Sequence, residues 1–96
     1  MTVEVNAFIL PKQMTVDKAE EIKGQMISFL HENRLEVKCL GHEVGVVDAA
    51  GLQLLLALYK TAAKEGKKFV ITNPSPELRE MFSCSGADKV FSIEEV

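Results

Sequence analysis

Tryptophan is absent from this chain of 96 residues, and cysteine, proline and glycine are scarce, with two, three and six copies. The prolines and glycines fall singly between periodic segments, which excludes a linker-rich, repetitive or low-complexity chain. Apolar residues still make up 47% of the chain and charged residues 26%, a balance typical of a folded protein. Because this length has room for one hydrophobic core, we predict a single domain over residues 1–96.

Long apolar runs and blocks of one charge sign are also missing. The longest apolar run, residues 52–59, is interrupted by Gln53 and falls short of the roughly 20 residues that cross a bilayer. Lys and Arg number 11 against 14 Asp and Glu, a net charge of −3 with no basic block to attract nucleic acid. The N-terminus has no basic segment followed by an apolar signal-peptide core. We therefore expect a cytoplasmic protein without membrane insertion and without a direct nucleic-acid partner.

Strand and helix patterns alternate along the chain. Strand patterns occupy residues 3–10, 35–39 and 69–72, and residues 90–93 favour an edge strand or a docked tail. Helical patterns run from a cap at Thr15 to about Glu32, from a cap at Asp48 through Lys64 or Glu65 to Gly66, and from Pro76 to about Ser85 and Gly86. Strands separated by helices predict an α/β fold with a largely parallel sheet of three to five strands.

The apolar positions within these segments predict which faces are buried. The first helix carries its apolar residues at spacings of three and four, at Val16, Ala19, Ile22, Met26, Phe29 and Leu30. Leu35, Val37 and Cys39 alternate with charged residues, so we expect all three to face the core. Lys67 and Lys68 are expected to form a solvated pair before the next strand.

The helix that follows Asp48 has an unusually narrow polar side. On a helical wheel, its core side holds Gly51, Leu54, Leu55, Leu58, Tyr59 and Ala62. Gln53, Lys60 and Lys64 lie opposite, with Ala49 at the N-terminal end of that side and Leu56 at its border. A helix of this kind is either deeply packed or offers apolar surface to a partner, and both interpretations stay open for Leu56.

The segment from Val46 to Leu55, with the sequence VVDAAGLQLL, resembles the STAS domains, the anti-sigma-factor antagonists and their relatives. The later Gly66, the strand pattern at 69–72 and the residues from Met81 through Gly86 to Phe91 extend the resemblance. It implies a mostly parallel sheet of four to five strands flanked by three to four helices, without a catalytic centre. It also implies bacterial signalling and transcription regulation, in which the domain binds a serine-kinase anti-sigma factor and frees a sigma factor.

In such domains, as the resemblance implies, the kinase ends binding by phosphorylating the hydroxyl residue directly after the Asp of the motif. Ala49 occupies that position here, and the next residue is Ala50, so neither can accept a phosphoryl group. Three explanations stay open: a natural member without this control, an engineered variant, or regulation through another hydroxyl. In each case Ala49 resembles the unmodified, binding-competent surface.

We therefore predict a non-enzymatic interaction domain whose partner-binding residues are Asp48, Ala49, Gln53, Leu56 and Lys60. Asp48 is expected to cap the helix and organise the loop, and the other four to contact the partner. The first alternative is a STAS subunit that docks on the ATPase of a lipid-transport ABC complex. The second alternative is a small enzyme or nucleotide-binding protein, although no common nucleotide-binding motif is present.

Metal ions and cofactors are not expected. Cys39 and His42 have a spacing found in metal sites, but structural zinc needs four ligands, so we predict no metal site. Without an export signal, Cys39 and Cys84 are expected to be free thiols. The oligomeric state stays open.

Overall fold

The computed structural model describes residues 7–32 and 35–95, which form three α-helices, six short strands and one 3₁₀ turn. In chain order these are β1 (Ala7–Ile9), β2 (Gln13–Met14), α1 (Ala19–Glu32), β3 (Glu36–Leu40), β4 (Val46–Val47), α2 (Ala49–Lys64), β5 (Lys68–Thr72), α3 (Pro76–Ser85), a 3₁₀ helix (Ala87–Lys89) and β6 (Ser92–Glu94). The strand expected over residues 3–10 is seen as β1, and residues 3–6 lie outside the described residues.

All paired strands run parallel, and they form two sheets. The main sheet has four strands in the order β1-β3-β5-β6, and the small sheet pairs β2 with β4. This arrangement confirms the α/β prediction and the expected edge strand near the C-terminus. The two strands of the small sheet, each two residues long, were not predicted.

One hydrophobic core lies between the main sheet and the three helices. The sheet contributes alternate residues, among them Val37, Cys39, Phe69 and Ile71, while Phe82 and Phe91 close the end near β6 with rings 5.1 Å apart. The helices contribute Ile22, Met26, Leu30, Leu54, Leu55, Leu58, Ala62 and Leu78. Within residues 7–32 and 35–95, no helix is both long enough and apolar enough to cross a membrane.

The ends of α2 and α3 agree with the sequence, whereas the start of α1 does not. The prediction that Thr15 caps a helix beginning directly after it was wrong, because α1 begins at Ala19. The Thr15 hydroxyl donates instead to Asp17 Oδ1 at 2.5 Å, which lowers the pKa of Asp17. Val16 lies in the turn before the helix and is 70% exposed, outside the apolar stripe to which it was assigned.

The exposure of two further side chains differs from what the sequence predicted. Leu35 precedes β3 and is 78% exposed, so the expectation that it faces the core was wrong. Lys67 is not a solvated residue: its side chain is 12% exposed, and its Nζ donates to the Leu30 carbonyl at 2.6 Å. Lys67 thereby satisfies one of the carbonyls that the last turn of α1 leaves unpaired.

Candidate functional site

Asp48 joins the start of α2 to the loop between β2 and α1. Its Oδ1 accepts a hydrogen bond from the Gly51 N–H at 3.1 Å, which makes it the N-cap of α2. Its Oδ2 accepts another from the Val16 N–H at 3.1 Å, and its own N–H donates to the Met14 carbonyl at 3.2 Å. One half-buried carboxylate therefore fixes both the helix start and the neighbouring loop, as expected of a cap that also organises the loop.

The small sheet aligns the chain for this arrangement. The Lys12 carbonyl accepts hydrogen bonds from the N–H groups of Gly45 at 2.7 Å and Val46 at 3.0 Å. Val46 and Val47 then pair in register with Gln13 and Met14, so that β4 delivers Asp48 directly beside β2.

Gly51 allows the first turn of α2 to lie against β2. A Cβ at this position would lie only 2.3 Å from the Met14 carbonyl oxygen and 3.0 Å from Met14 Cβ. Because no real Cβ tolerates such a distance, the close approach requires glycine. The Asp-x-x-Gly spacing of the sequence thus has two physical causes, a cap and a close backbone contact.

The other predicted site residues lie along the solvent side of α2. Ala49, the first residue of the helix, is exposed, as are Gln53 and Lys60, while Leu56 is half-buried and packs against the core. The spacings of four, three and four residues place these side chains on one stripe about three turns long. Leu56 therefore packs at the border of the core and is still partly exposed, so its contact with a partner stays a prediction.

The helix itself sets the electrostatic character of the N-terminal end of α2. No acidic residue occurs in the first turn of α2, and Asp48 is the carboxylate that offsets the positive end of the helix dipole. The N–H groups of the first turn have no helical partner, and Asp48 satisfies that of Gly51. The side chain of Ala49 is small and apolar, and it lies at the partial positive charge of the helix start.

Side chains with reactive chemistry are sparse around this stripe. In the part of the chain that the structure describes, no group of three or more His, Cys, Asp or Glu residues could hold a metal ion. Cys39 is fully buried, which raises the pKa of its thiol to about 12, and His42 pairs with Glu43 at 3.7 Å. Both cysteines are free thiols, and Cys84 is exposed.

The sequence did not reveal the part that Met14 and Val16 play in the site. Both act through backbone atoms, the Met14 carbonyl and the Val16 N–H, so their side chains carry no signal of the contact. Val46 is 56% exposed, and its position two residues before the capping Asp48 was the available hint.

Comparison with known proteins places the chain in a family. The sequence model of the family described as "Mlab, STAS domain" matches residues 10–94. A candidate anti-sigma factor antagonist from Thermotoga maritima has a TM-score of 0.82 at 16% identity, over 100% of this chain and 84% of that chain. An anti-sigma-factor antagonist (STAS) domain protein from Planctomyces limnophilus gives 0.84 at 16% identity, over 99% and 87% of the two chains. The chain belongs to the STAS domain family.

Proposed function

We propose that this STAS domain is a non-enzymatic, cytoplasmic anti-sigma factor antagonist that docks on a serine-kinase anti-sigma factor through the stripe Ala49, Gln53, Leu56 and Lys60. The observation that carries the proposal is the fixation of the start of α2 by Asp48, which leaves Ala49 exposed beside it. A rigid, prearranged surface loses little conformational entropy when a partner binds. The anti-sigma factor antagonist descriptions of two proteins with the same fold support the same class of partner.

The small side chain of Ala49 suits close contact. A methyl group at the first helical position lets a partner approach the positive end of α2, and it adds no charge that must be desolvated. Because alanine cannot be phosphorylated, a kinase partner cannot end binding by modifying this position. Binding is therefore expected to persist in the presence of ATP, unless another hydroxyl is the target.

A second candidate is a subunit that docks on the ATPase of a lipid-transport ABC complex. It is compatible with membership of the STAS domain family, because the resemblance found in the sequence includes such subunits. In this role the helix surface serves permanent assembly, for which a hydroxyl at position 49 is not needed. The two candidates use the same stripe and differ in the partner.

Mixing experiments with purified proteins separate the candidates. The domain is combined with serine-kinase anti-sigma factors and, separately, with ATPase subunits of lipid transporters, and co-elution is measured by size-exclusion chromatography. We expect co-elution with a kinase-type anti-sigma factor in the absence and presence of ATP. Co-elution with the ATPase alone would favour the second candidate, and nucleotide turnover by the isolated domain would contradict both.

An Ala49→Ser variant adds a direct test of the kinase assignment. The new hydroxyl lies at the position that a serine kinase would modify, so we expect intact-mass analysis to find one added phosphate after incubation with the kinase and ATP. The unaltered domain, treated in the same way, provides the control. Failure to phosphorylate the variant within a stable complex would argue against a kinase that acts at this position.

A further inference from the structure

An open groove lies along β4 and α3, and β4 leads directly into the start of α2. Its volume is about 410 Å³, and it is lined by Gly45, Val46, Val47, Glu77, Glu80, Met81 and Cys84. We call it the β4–α3 groove. Neither the packing of the core nor the Asp48 cap explains why this groove is present.

The middle of the groove is apolar and reaches solvent. Val46 is 56% exposed, while Val47 and Met81 are half-buried and pack against the core. Met81 has a flexible, polarizable side chain that adapts to different apolar partners. The groove can therefore accept an apolar side chain without opening the core.

The rim of the groove on α3 is acidic. Glu77 and Glu80 are both exposed, and their spacing of three residues places them on one side of the helix. Among the ion pairs of the described residues, neither carboxylate takes part, and the lining includes no Lys or Arg. An occupant with positive charge beside its apolar side chain would complement both features.

The groove is also continuous with the surface at the start of α2. Val46 and Val47 form β4, and the next two residues are Asp48 and Ala49. From this juxtaposition we propose that the β4–α3 groove binds a segment of the protein partner in which an apolar side chain is flanked by Lys or Arg. This inference rests on the proposed function and extends the docking surface beyond α2.

Cys84 provides a reporter within the groove itself. It is exposed and lines the groove, whereas Cys39 is 0% exposed and has a pKa of about 12. Since thiolates are the reactive form, a maleimide probe added near neutral pH labels Cys84 and leaves Cys39 unmodified in the folded protein. A Cys84→Ser variant verifies this selectivity, because it should take up no label.

The first experiment measures the labelling rate of Cys84 in the presence of two synthetic amphipathic peptides. One alternates Lys with Leu on a helical pattern, and the other has Glu in place of Lys. We expect the Lys/Leu peptide to slow labelling about fivefold or more and the Glu/Leu peptide to leave the rate unchanged. Equal effects of the two peptides, or no effect of either, would overturn the proposal.

Charge-neutralising variants distinguish peptide binding in the groove from attraction by the overall negative charge of the protein. Glu77→Gln with Glu80→Gln removes the acidic rim, and Glu20→Gln with Glu32→Gln removes two exposed carboxylates from α1 as a matched control. Protection by the Lys/Leu peptide should disappear in the first double variant and persist in the second. Equal loss in both would show attraction by net charge alone and would overturn the groove as the binding site.

The last arm uses the partner identified by co-elution. In the Glu77→Gln, Glu80→Gln variant, two carboxylates can no longer pair with Lys or Arg of the partner. We expect this variant to bind the partner about fivefold to tenfold more weakly, with a smaller loss at high salt. If Ala49→Glu abolishes binding while the Glu77→Gln, Glu80→Gln variant binds normally, the groove proposal fails and the proposed function stands. If the groove variant weakens binding and Ala49→Glu does not, the groove stands and the α2 stripe fails.

Discussion

Helices α2 and α3 begin in the same chemical way, yet their first turns have opposite surroundings. Each follows a strand and starts with a side-chain cap: Asp48 accepts from the Gly51 N–H, and Ser75 Oγ accepts from the Leu78 N–H, both at 3.1 Å. Ser75 is only 5% exposed, and its own N–H donates to the Gly41 carbonyl at 2.9 Å. Asp48 is half-buried and is followed by the exposed Ala49.

The difference teaches that capping chemistry alone does not mark a functional site. At α3 the cap is part of a buried joint between the helix and the end of β3. At α2 the second carboxylate oxygen reaches Val16, 32 residues away in the chain, and thereby holds an exposed surface in a fixed shape. The start of α3 is buried in the fold, whereas the start of α2 also carries the exposed surface that we propose as the docking site.

The strongest test of the α2 joint is the substitution Gly51→Ala. The added Cβ would lie 2.3 Å from the Met14 carbonyl oxygen, a backbone atom that cannot move without breaking the contact of β2 with β4. We expect the free energy of unfolding to fall by about 3 kcal/mol, as for severe overpacking. Urea denaturation followed by circular dichroism measures the change.

Gly24→Ala is the matched control for this substitution. Gly24 lies within α1, and nothing is found within 4 Å of a Cβ built there. Alanine should raise the free energy of unfolding by about 0.5–1 kcal/mol, because it favours the helix. If both variants were stabilised, the close approach of β2 to α2 would be disproved.

Removal of the two caps should cost similar stability but affect binding differently. Asp48→Ala and Ser75→Ala should each lower the free energy of unfolding by about 1–2 kcal/mol, since each leaves a helical N–H without its partner. Only Asp48→Ala should also weaken partner binding, because the loop at Val16 loses its anchor. Calorimetric titration of both variants with the partner checks this, and equal loss of affinity would remove the distinction between the two helix starts.

Asp48→Asn separates capping from the link to the loop. Asparagine caps helices about as well as aspartate, so its oxygen should preserve the bond to Gly51. Its amide group cannot accept from the Val16 N–H, so a loss of about 0.5–1 kcal/mol should remain. Hydrogen exchange should become faster at Val16 and stay slow at Gly51; protection retained at both amides would contradict the double role.

The sequence predicted those features that depend on local chemistry. Asp48, Gly66 and Pro76 mark the ends of α2 and α3 through their own side chains or backbone preferences, with φ of +74° at Gly66. The stripe on α2 was also predictable, because helical geometry alone places residues spaced by three and four on one side.

Features that depend on contacts between residues far apart in the sequence, or on where an element ends, were not predictable. The pairing of β2 with β4 involves two residues on each strand, too few for an alternating pattern to be recognised. Lys67 caps α1 across 37 residues of sequence, and nothing in the neighbouring residues indicates that contact. Leu35 and Val16 are apolar and fit a pattern, but each lies just outside its element, where the periodicity no longer holds.

The central claim is that the start of α2 is a docking surface, and Ala49→Glu tests it with two readouts. Glutamate at the exposed first position should change the free energy of unfolding by no more than about 0.5 kcal/mol. It should weaken binding of the purified partner at least about tenfold, because it places a charge in the contact.

Two controls isolate the cause of that loss. Ala49→Gln adds similar bulk without charge, and Ser28→Glu places the same charge on the exposed surface of a different helix, α1. The decisive measurement is the dissociation constant of the partner for Ala49→Glu relative to Ser28→Glu. We predict a large increase for Ala49→Glu alone, with both melting temperatures nearly unchanged, and equal affinities for the two variants would contradict the docking surface.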